Sequence, residues 1–166
     1  VIEYNDGFNL NYDHLNYLKE KGYSKEFIDF PDQVLNPDSS IEGWDYFKNH
    51  LPSALNAEDT CTAFTSRRAL GFLEKDHKTP WMLFLSYFRP HEPYSPPNPY
   101  HNMYKPEDIP SPIRSDVEFE NMHPLQKVKL EKRKWFKSLN DENYWRTLRS
   151  AYYGLIAELD YWIGEV

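Results

Sequence analysis

The stretch MLFLSYFRPHEPYSPPNPY, residues 82–100, decides how this chain is organised. Its first part continues an apolar run over 81–88, and a run without polar alternation predicts a strand buried on both faces. Its second part opens the segment 89–112, which holds eight of the thirteen prolines of the chain. Proline at that density excludes a helix or an inner strand. A single histidine, His91, stands at the junction between the two parts.

A strand that is apolar on both faces needs strands on either side and helices above and below it. The candidate neighbouring strands are weak: VIEY at 1–4 and DVEF at 116–119. Helices are better represented, because 57–75 predicts one, and apolar residues at steps of three and four between Trp145 and Val166 predict a longer one. The sequence therefore predicts an α/β fold that is mostly helical, with one central strand and a long proline-rich loop.

Composition bounds the class of protein. The 166 residues suit one domain, and the 17% of aromatic residues exclude a disordered chain in spite of the net charge of −7. The acidic balance argues against nucleic acid as a partner, and no apolar run is long enough to span a membrane. We therefore expect a soluble protein. The single cysteine leaves the cellular compartment open.

His91 is the first candidate for chemistry. Ligands of open α/β sheets bind just beyond the carboxyl ends of the strands, and His91 follows the predicted strand by three residues. Pro90 and Pro93 restrict the backbone on both sides and so help to aim the ring. An imidazole there can donate to an anionic oxygen or protonate a leaving group near neutral pH. The alternative is a histidine in a rigid turn that binds nothing.

Other candidates are weaker. Cys61 lies on an apolar run within the predicted helix 57–75, so we expect a buried structural thiol in the middle of a helix. The basic run at 127–137 suits a solvated helix face better than an anion site. No spacing typical of metal ligands occurs. The proline-rich loop could dock into an aromatic groove, but its tyrosines favour packing on its own domain.

Taken together, these pieces resemble a known family. The words TPWMLFLSYFRPHEPYSPPNPYHNMYKPEDIPSPIR at 79–114, HPL at 123–125 and YYGLIAELD at 152–160 are similar to the sulfatase group of the alkaline phosphatase superfamily. The similarity is greatest to the branch of phosphonate monoester hydrolases and arylsulfatases. It covers most of 40–166, and residues 1–40 fit only loosely. On this resemblance, 1–166 is an internal segment of a single sulfatase-like domain, part of an alkaline-phosphatase-like sandwich.

The resemblance implies an enzyme that hydrolyses sulfate, phosphonate or phosphate esters, with a divalent metal (Ca, Mn or Zn) and a formylglycine nucleophile. It makes His91 both catalytic and substrate-binding, in contact with the transferred group or its leaving oxygen. Neither a metal ligand nor the nucleophile is expected in this chain, because the family's C-x-P-S-R and D-H-G segments have no match here. The isolated chain is therefore predicted to be inactive. The alternative is a non-catalytic sulfatase-like scaffold or binding module.

The implied partners follow from the same resemblance. The expected ligand of the parent enzyme is a small anionic ester, with neither nucleic acid nor membrane as a partner. Because the predicted strand has few neighbours of its own, we also expect a homo-oligomer or a dimer that borrows strands.

Overall fold

The computed structural model describes residues 12–24, 51–113, 116–132 and 141–166. Within these ranges the regular structure is entirely helical. The α-helices in chain order are α1 (Tyr12–Glu20), α2 (Cys61–Leu73), α3 (Asp116–Glu120), α4 (Pro124–Lys132) and α5 (Glu142–Glu165), with short 3-10 helices at Ala57–Asp59, Tyr100–Asn102 and Pro106–Asp108.

The predicted central strand is wrong, and with it the α/β class as far as the described residues extend. Residues 81–88 form neither strand nor helix, and no backbone hydrogen bond pairs 81–87 with another described segment. The side chains of Met82 and Phe84 are 88% and 85% exposed. The expected neighbour at 116–119 belongs to α3, and 1–4 lies outside the described residues. An apolar run forms a strand only where another strand pairs with its backbone, and the described ranges supply none.

Helix α1 ends in a turn that the sequence signals with glycine. Gly22 has a φ of +85°, and the Tyr23 N–H donates to the Leu18 carbonyl oxygen at 3.0 Å. This left-handed closure satisfies carbonyl groups at the end of the helix. Leu15 and Leu18 are buried against Leu55, which attaches α1 to the segment before α2.

Helix α2 begins later than the sequence predicts. The Thr60 side chain accepts a hydrogen bond from the Ala63 N–H and caps the helix, so Cys61 is its first residue rather than a residue in the middle. The preceding Ala57–Asp59 turn is a separate 3-10 helix. The Cys61 side chain is half-buried, with Sγ 4.0 Å from the Thr65 hydroxyl oxygen.

The proline-rich loop packs against helix α5. The Asp141 side chain caps the first turn of this helix by accepting hydrogen bonds from the backbone N–H groups of Asn143 and Tyr144. Pro96 and Pro97 are fully buried against this part of the fold. An added Cβ at Gly154 would lie 2.6 Å from the Tyr100 carbonyl oxygen, so only glycine permits this approach. The loop therefore packs on its own domain, as its tyrosines predict.

Two arginines of α5 hold the far end of the loop. Arg146 donates to the Ile109 carbonyl oxygen at 2.6 Å and to the Ser111 hydroxyl at 2.8 Å. Arg149 donates to the Pro110 carbonyl oxygen at 2.9 Å. These arginines supply hydrogen-bond donors to carbonyl oxygens of a segment whose prolines have no backbone N–H and therefore cannot form a regular ladder. No helix within the described ranges is both long enough and apolar enough to cross a membrane.

Candidate functional site

The turn that carries His91 is tied together by its own backbone and by one arginine. The His91 N–H donates to the Phe88 carbonyl oxygen at 3.1 Å, and the Ser95 N–H donates to that of Pro93 at 2.9 Å. Arg89 is buried, and its guanidinium also donates to the Pro93 carbonyl oxygen, at 2.6 Å. The peptide bonds before Pro90 and Pro93 are cis. The turn therefore has a defined geometry around an accessible ring.

The His91 imidazole is presented rather than packed away. Its side chain is 55% exposed. One face lies against the Phe88 ring, with 4.6 Å between ring centroids. On its edge, Nδ1 lies 2.9 Å from the Glu92 carbonyl oxygen and 3.4 Å from the Glu92 carboxylate. Among the contacts of the described residues, Nε2 makes none, so that nitrogen is open to a ligand.

Aromatic pairs connect this turn to α5. The Tyr94 ring meets Tyr152 edge to face at 5.5 Å, and Tyr104 meets Tyr153 in the same way at 5.6 Å. Burial raises the pKa of the Tyr94 hydroxyl, and the nearby charge of Glu92 raises it further. Tyr94 is therefore a neutral packing residue.

A second polar cluster, around Asp59, was not predicted from the sequence. The buried Asp59 carboxylate accepts from the Tyr17 hydroxyl and, at 2.7 Å, from the Tyr23 hydroxyl. Lys21 Nζ lies 3.5 Å away. The Asp59 carbonyl oxygen lies 2.8 Å from His14 Nε2. The members of the cluster come from α1, the turn after it and the 3-10 helix Ala57–Asp59. Their sequence separations of 36 to 45 residues are beyond what a short motif reveals.

The titration of this cluster indicates a structural anchor. Burial acts to raise the pKa of Asp59, but hydrogen bonds from Tyr17, Tyr23 and Asn56 outweigh it and hold that pKa below its usual range. Burial, followed by the bond to Asp59, raises the pKa of Tyr23 to about 12. The acid is thus ionised and the phenols are neutral across the physiological range. A carboxylate so fully occupied has little capacity left for a ligand.

The remaining candidates do not assemble a reactive centre. Among the described residues, no group of three or more His, Cys, Asp or Glu could hold a metal ion. His101, in the same loop as His91, turns Nδ1 toward Asn102 Oδ1 at 3.2 Å. Lys127 and Lys129 in α4 are exposed, as a solvated basic face predicts. Residues 133–140 of the basic run lie outside the described ranges.

Comparison with known proteins places the chain in a family. The model of the Sulfatase family matches residues 4–166, and the chain therefore belongs to the sulfatase family. The resemblance inferred from the sequence is confirmed. Among curated proteins, the multifunctional alkaline phosphatase superfamily protein PehA of Trinickia caryophylli is 37% identical over 127 residues, which are 69% of this chain and 24% of that protein. An arylsulfatase of Clostridium perfringens is 29% identical over 156 residues, 92% of this chain and 29% of the relative.

Solved structures give the same picture. The phosphonate monoester hydrolase SpPMH of Silicibacter pomeroyi superposes with a TM-score of 0.71 at 28% identity, covering 94% of this chain and 32% of that one. The phosphonate monoester hydrolase of Agrobacterium radiobacter superposes with a TM-score of 0.72 at 26% identity, covering 92% and 31%. The chain thus spans between a quarter and a third of the length of the relatives it matches.

Proposed function

We propose that this chain is part of an enzyme that hydrolyses sulfate or phosphonate esters, and that it forms a wall of the active site. Membership of the sulfatase family supports the hydrolase class. An arylsulfatase and two phosphonate monoester hydrolases among the similar proteins support the two ester types. The expected ligand is a small anionic ester. The choice between sulfate and phosphonate is left to experiment.

In this proposal His91 is the residue of the chain that touches substrate. The observation that carries it is the half-exposed imidazole on a turn held by Arg89, with Nε2 open. Negative charge spreads over the oxygens of the sulfuryl or phosphonyl group in the transition state. A donor that is already in position stabilises that charge without reorganisation. His91 would therefore contribute a hydrogen bond to a non-bridging oxygen or to the leaving oxygen.

The metal and the nucleophile belong elsewhere in this proposal. The described residues contain no cluster that fits a divalent metal, so no step is assigned to a metal held by this chain. Cys61 begins α2 beside Thr65, outside any C-x-P-S-R segment, and does not fit a formylglycine site. We therefore propose that both groups are supplied by residues beyond 1–166 in a longer enzyme. The purified 166-residue chain should then show no turnover of an aryl sulfate or aryl phosphonate, and measurable turnover would refute this division.

The test of the function uses the full-length enzyme with para-nitrophenyl sulfate and with the para-nitrophenyl monoester of phenylphosphonate. Replacing His91 with alanine should lower kcat about a hundred- to a thousand-fold on the preferred ester, because one transition-state donor is lost. His101→Ala is the matched control, since it removes a histidine from the same proline-rich loop. Its rate should stay within about threefold of the unmodified enzyme, because its ring contacts Asn102 and lies outside the proposed site.

The kinetic outcomes separate the readings. An unchanged rate in His91→Ala would remove His91 from the active site. No turnover of either ester by the metal-loaded, unmodified enzyme would favour the non-catalytic scaffold instead.

Association with a second copy of the chain stays a prediction. The exposed side chains of Trp81, Met82 and Phe84 are its most direct support, because adjacent apolar groups in water favour contact with another surface. Sedimentation of the 166-residue chain over a range of concentrations should show dimers. A constant monomer mass, unaffected by Phe84→Lys, would contradict the prediction.

A further inference from the structure

We propose that Glu92 is a positioning residue for His91: its oxygens hold a hydrogen on Nδ1 and so fix the orientation of the ring, with Nε2 turned to the substrate. This inference rests on the proposed function, because it describes how His91 would act in that site. It concerns hydrogen-bond donation only and involves no covalent step.

The first step is the identity of the atoms around Nδ1. The Glu92 carbonyl oxygen lies 2.9 Å from Nδ1, and the Glu92 carboxylate oxygen lies 3.4 Å from it. Both of these oxygens only accept hydrogen bonds, so either contact requires a hydrogen on Nδ1. A ring with its hydrogen on Nε2 alone would turn a lone pair toward both oxygens. The two contacts therefore select the Nδ1–H form of the neutral ring.

The second step is what this selection means for catalysis. With the hydrogen fixed on Nδ1, neutral His91 has only a lone pair at Nε2, which repels an anionic ester oxygen. Nε2 donates only when the ring carries a second proton and is an imidazolium. By holding the Nδ1 hydrogen, which both the neutral and the charged ring can offer, Glu92 would keep Nε2 turned to the substrate.

The third step concerns the other side chains of the turn. Arg89 turns its guanidinium to the Pro93 carbonyl oxygen. Tyr94 is kept neutral, because burial and then the charge of Glu92 raise its pKa. The Phe88 ring supports the imidazole from below, at 4.6 Å and an interplanar angle of 34°. Glu92 is consequently the charged group in contact with His91 in the described part of the chain.

The test compares kcat and KM of Glu92→Ala and Glu92→Gln in the full-length enzyme, with the para-nitrophenyl esters above. Alanine removes the side-chain acceptor at Nδ1, so Glu92→Ala should be about three- to tenfold slower in kcat, with KM nearly unchanged. Glutamine keeps an acceptor, so Glu92→Gln should recover most of that loss.

Glu118→Ala is the matched control, since it removes a glutamate from an exposed position on α3. A kcat of Glu92→Ala equal to that of Glu118→Ala would overturn the inference. If His91→Ala loses at least a hundredfold while Glu92→Ala keeps the full rate, the positioning role fails and the proposed function stands. If His91→Ala itself is silent, both fail.

A second measurement needs no variant at Glu92 to fold. Nitrogen-15 spectra of histidine-labelled enzyme, with the signals of His91 assigned by their loss in His91→Gln, report which nitrogen carries the hydrogen at alkaline pH. The Nδ1–H form is expected. Observation of the Nε2–H form as the main species would overturn the inference independently of any kinetics.

Discussion

The proline-rich loop and the segment before it show two opposite ways in which a sequence without regular structure can be held. The loop buries Pro96, Pro97 and Ile109 against α5, and arginines of that helix pair its backbone oxygens. Residues 81–88 are more apolar, yet Met82 and Phe84 remain more than four-fifths exposed. Hydrophobicity alone therefore does not order a segment. Partners for its backbone within reach of the same chain decide the outcome.

The largest effect on stability should come from the contact between the loop and α5. In Gly154→Ala, the new Cβ would meet the Tyr100 carbonyl oxygen at 2.6 Å and Pro96 Cγ at 2.9 Å. Because a backbone oxygen can move only if the loop moves, we expect the free energy of unfolding to fall by about 3 kcal/mol, measured by urea titration.

Gly164→Ala in the same helix is its control. An added Cβ there meets nothing within 4 Å. Alanine is the better helix former by about 1 kcal/mol, so this variant should be unchanged or slightly more stable. Equal losses in the two variants would mean that the loop is not seated on Gly154.

A smaller effect is expected at the Asp59 cluster, which holds α1 by polar contacts as the arginines of α5 hold the loop. Asp59→Asn should lower the free energy of unfolding by about 2 kcal/mol at pH 7, because a charged acceptor of two buried phenols is lost. The pKa of Asp59 is lowered in the fold. Its stabilisation is therefore complete above the unfolded-state value of about 4 and is lost as the pH falls through the lowered pKa.

Urea titrations at neutral and acid pH check this prediction. The difference between Asp59→Asn and the unmodified chain should shrink as the pH falls below that range. Asp13→Asn, an exposed aspartate of α1, should show little difference at either pH. A loss in Asp59→Asn that is independent of pH would show that packing of the side chain, and not its negative charge, stabilises the cluster.

The smallest effect is expected in the segment 81–88. Phe84→Ala removes a ring that is 85% exposed in the single chain, so the free energy of unfolding of the monomer, titrated at high dilution, should change by no more than about 0.5 kcal/mol. A buried phenylalanine would cost about 3–5 kcal/mol in the same substitution. A loss of that size, measured in the urea titration used for Gly154→Ala, would mean that segment 81–88 is packed like the proline-rich loop and would contradict the comparison.

The elements that the sequence predicted well are those with local signals. Steps of three and four between Trp145 and Val166 gave α5, and the tyrosines of the loop indicated that it packs on its own domain. The start of α2 was missed because the cap at Thr60 outweighs the helical propensity before it. The strand at 81–88 was wrong because an apolar run reports a preference for burial and not the presence of a strand to pair with.

The candidate site was predictable only in part. The position of His91 after an apolar run and between prolines could be found in the sequence, and so could the family. The orientation of its ring could not, because it depends on where Glu92 and Phe88 place their side chains. The Asp59 cluster joins residues far apart in the chain, and pairings of that kind follow from the fold rather than from a motif.

The most direct test of the proposed site is a distance. In a crystal structure of the full-length enzyme with orthovanadate bound as an analogue of the transferred group, His91 Nε2 should lie about 2.7–3.2 Å from a vanadate oxygen, with Nδ1 turned to Glu92. A ring that stays more than about 6 Å from the bound anion is beyond hydrogen-bond reach. That result would contradict the account.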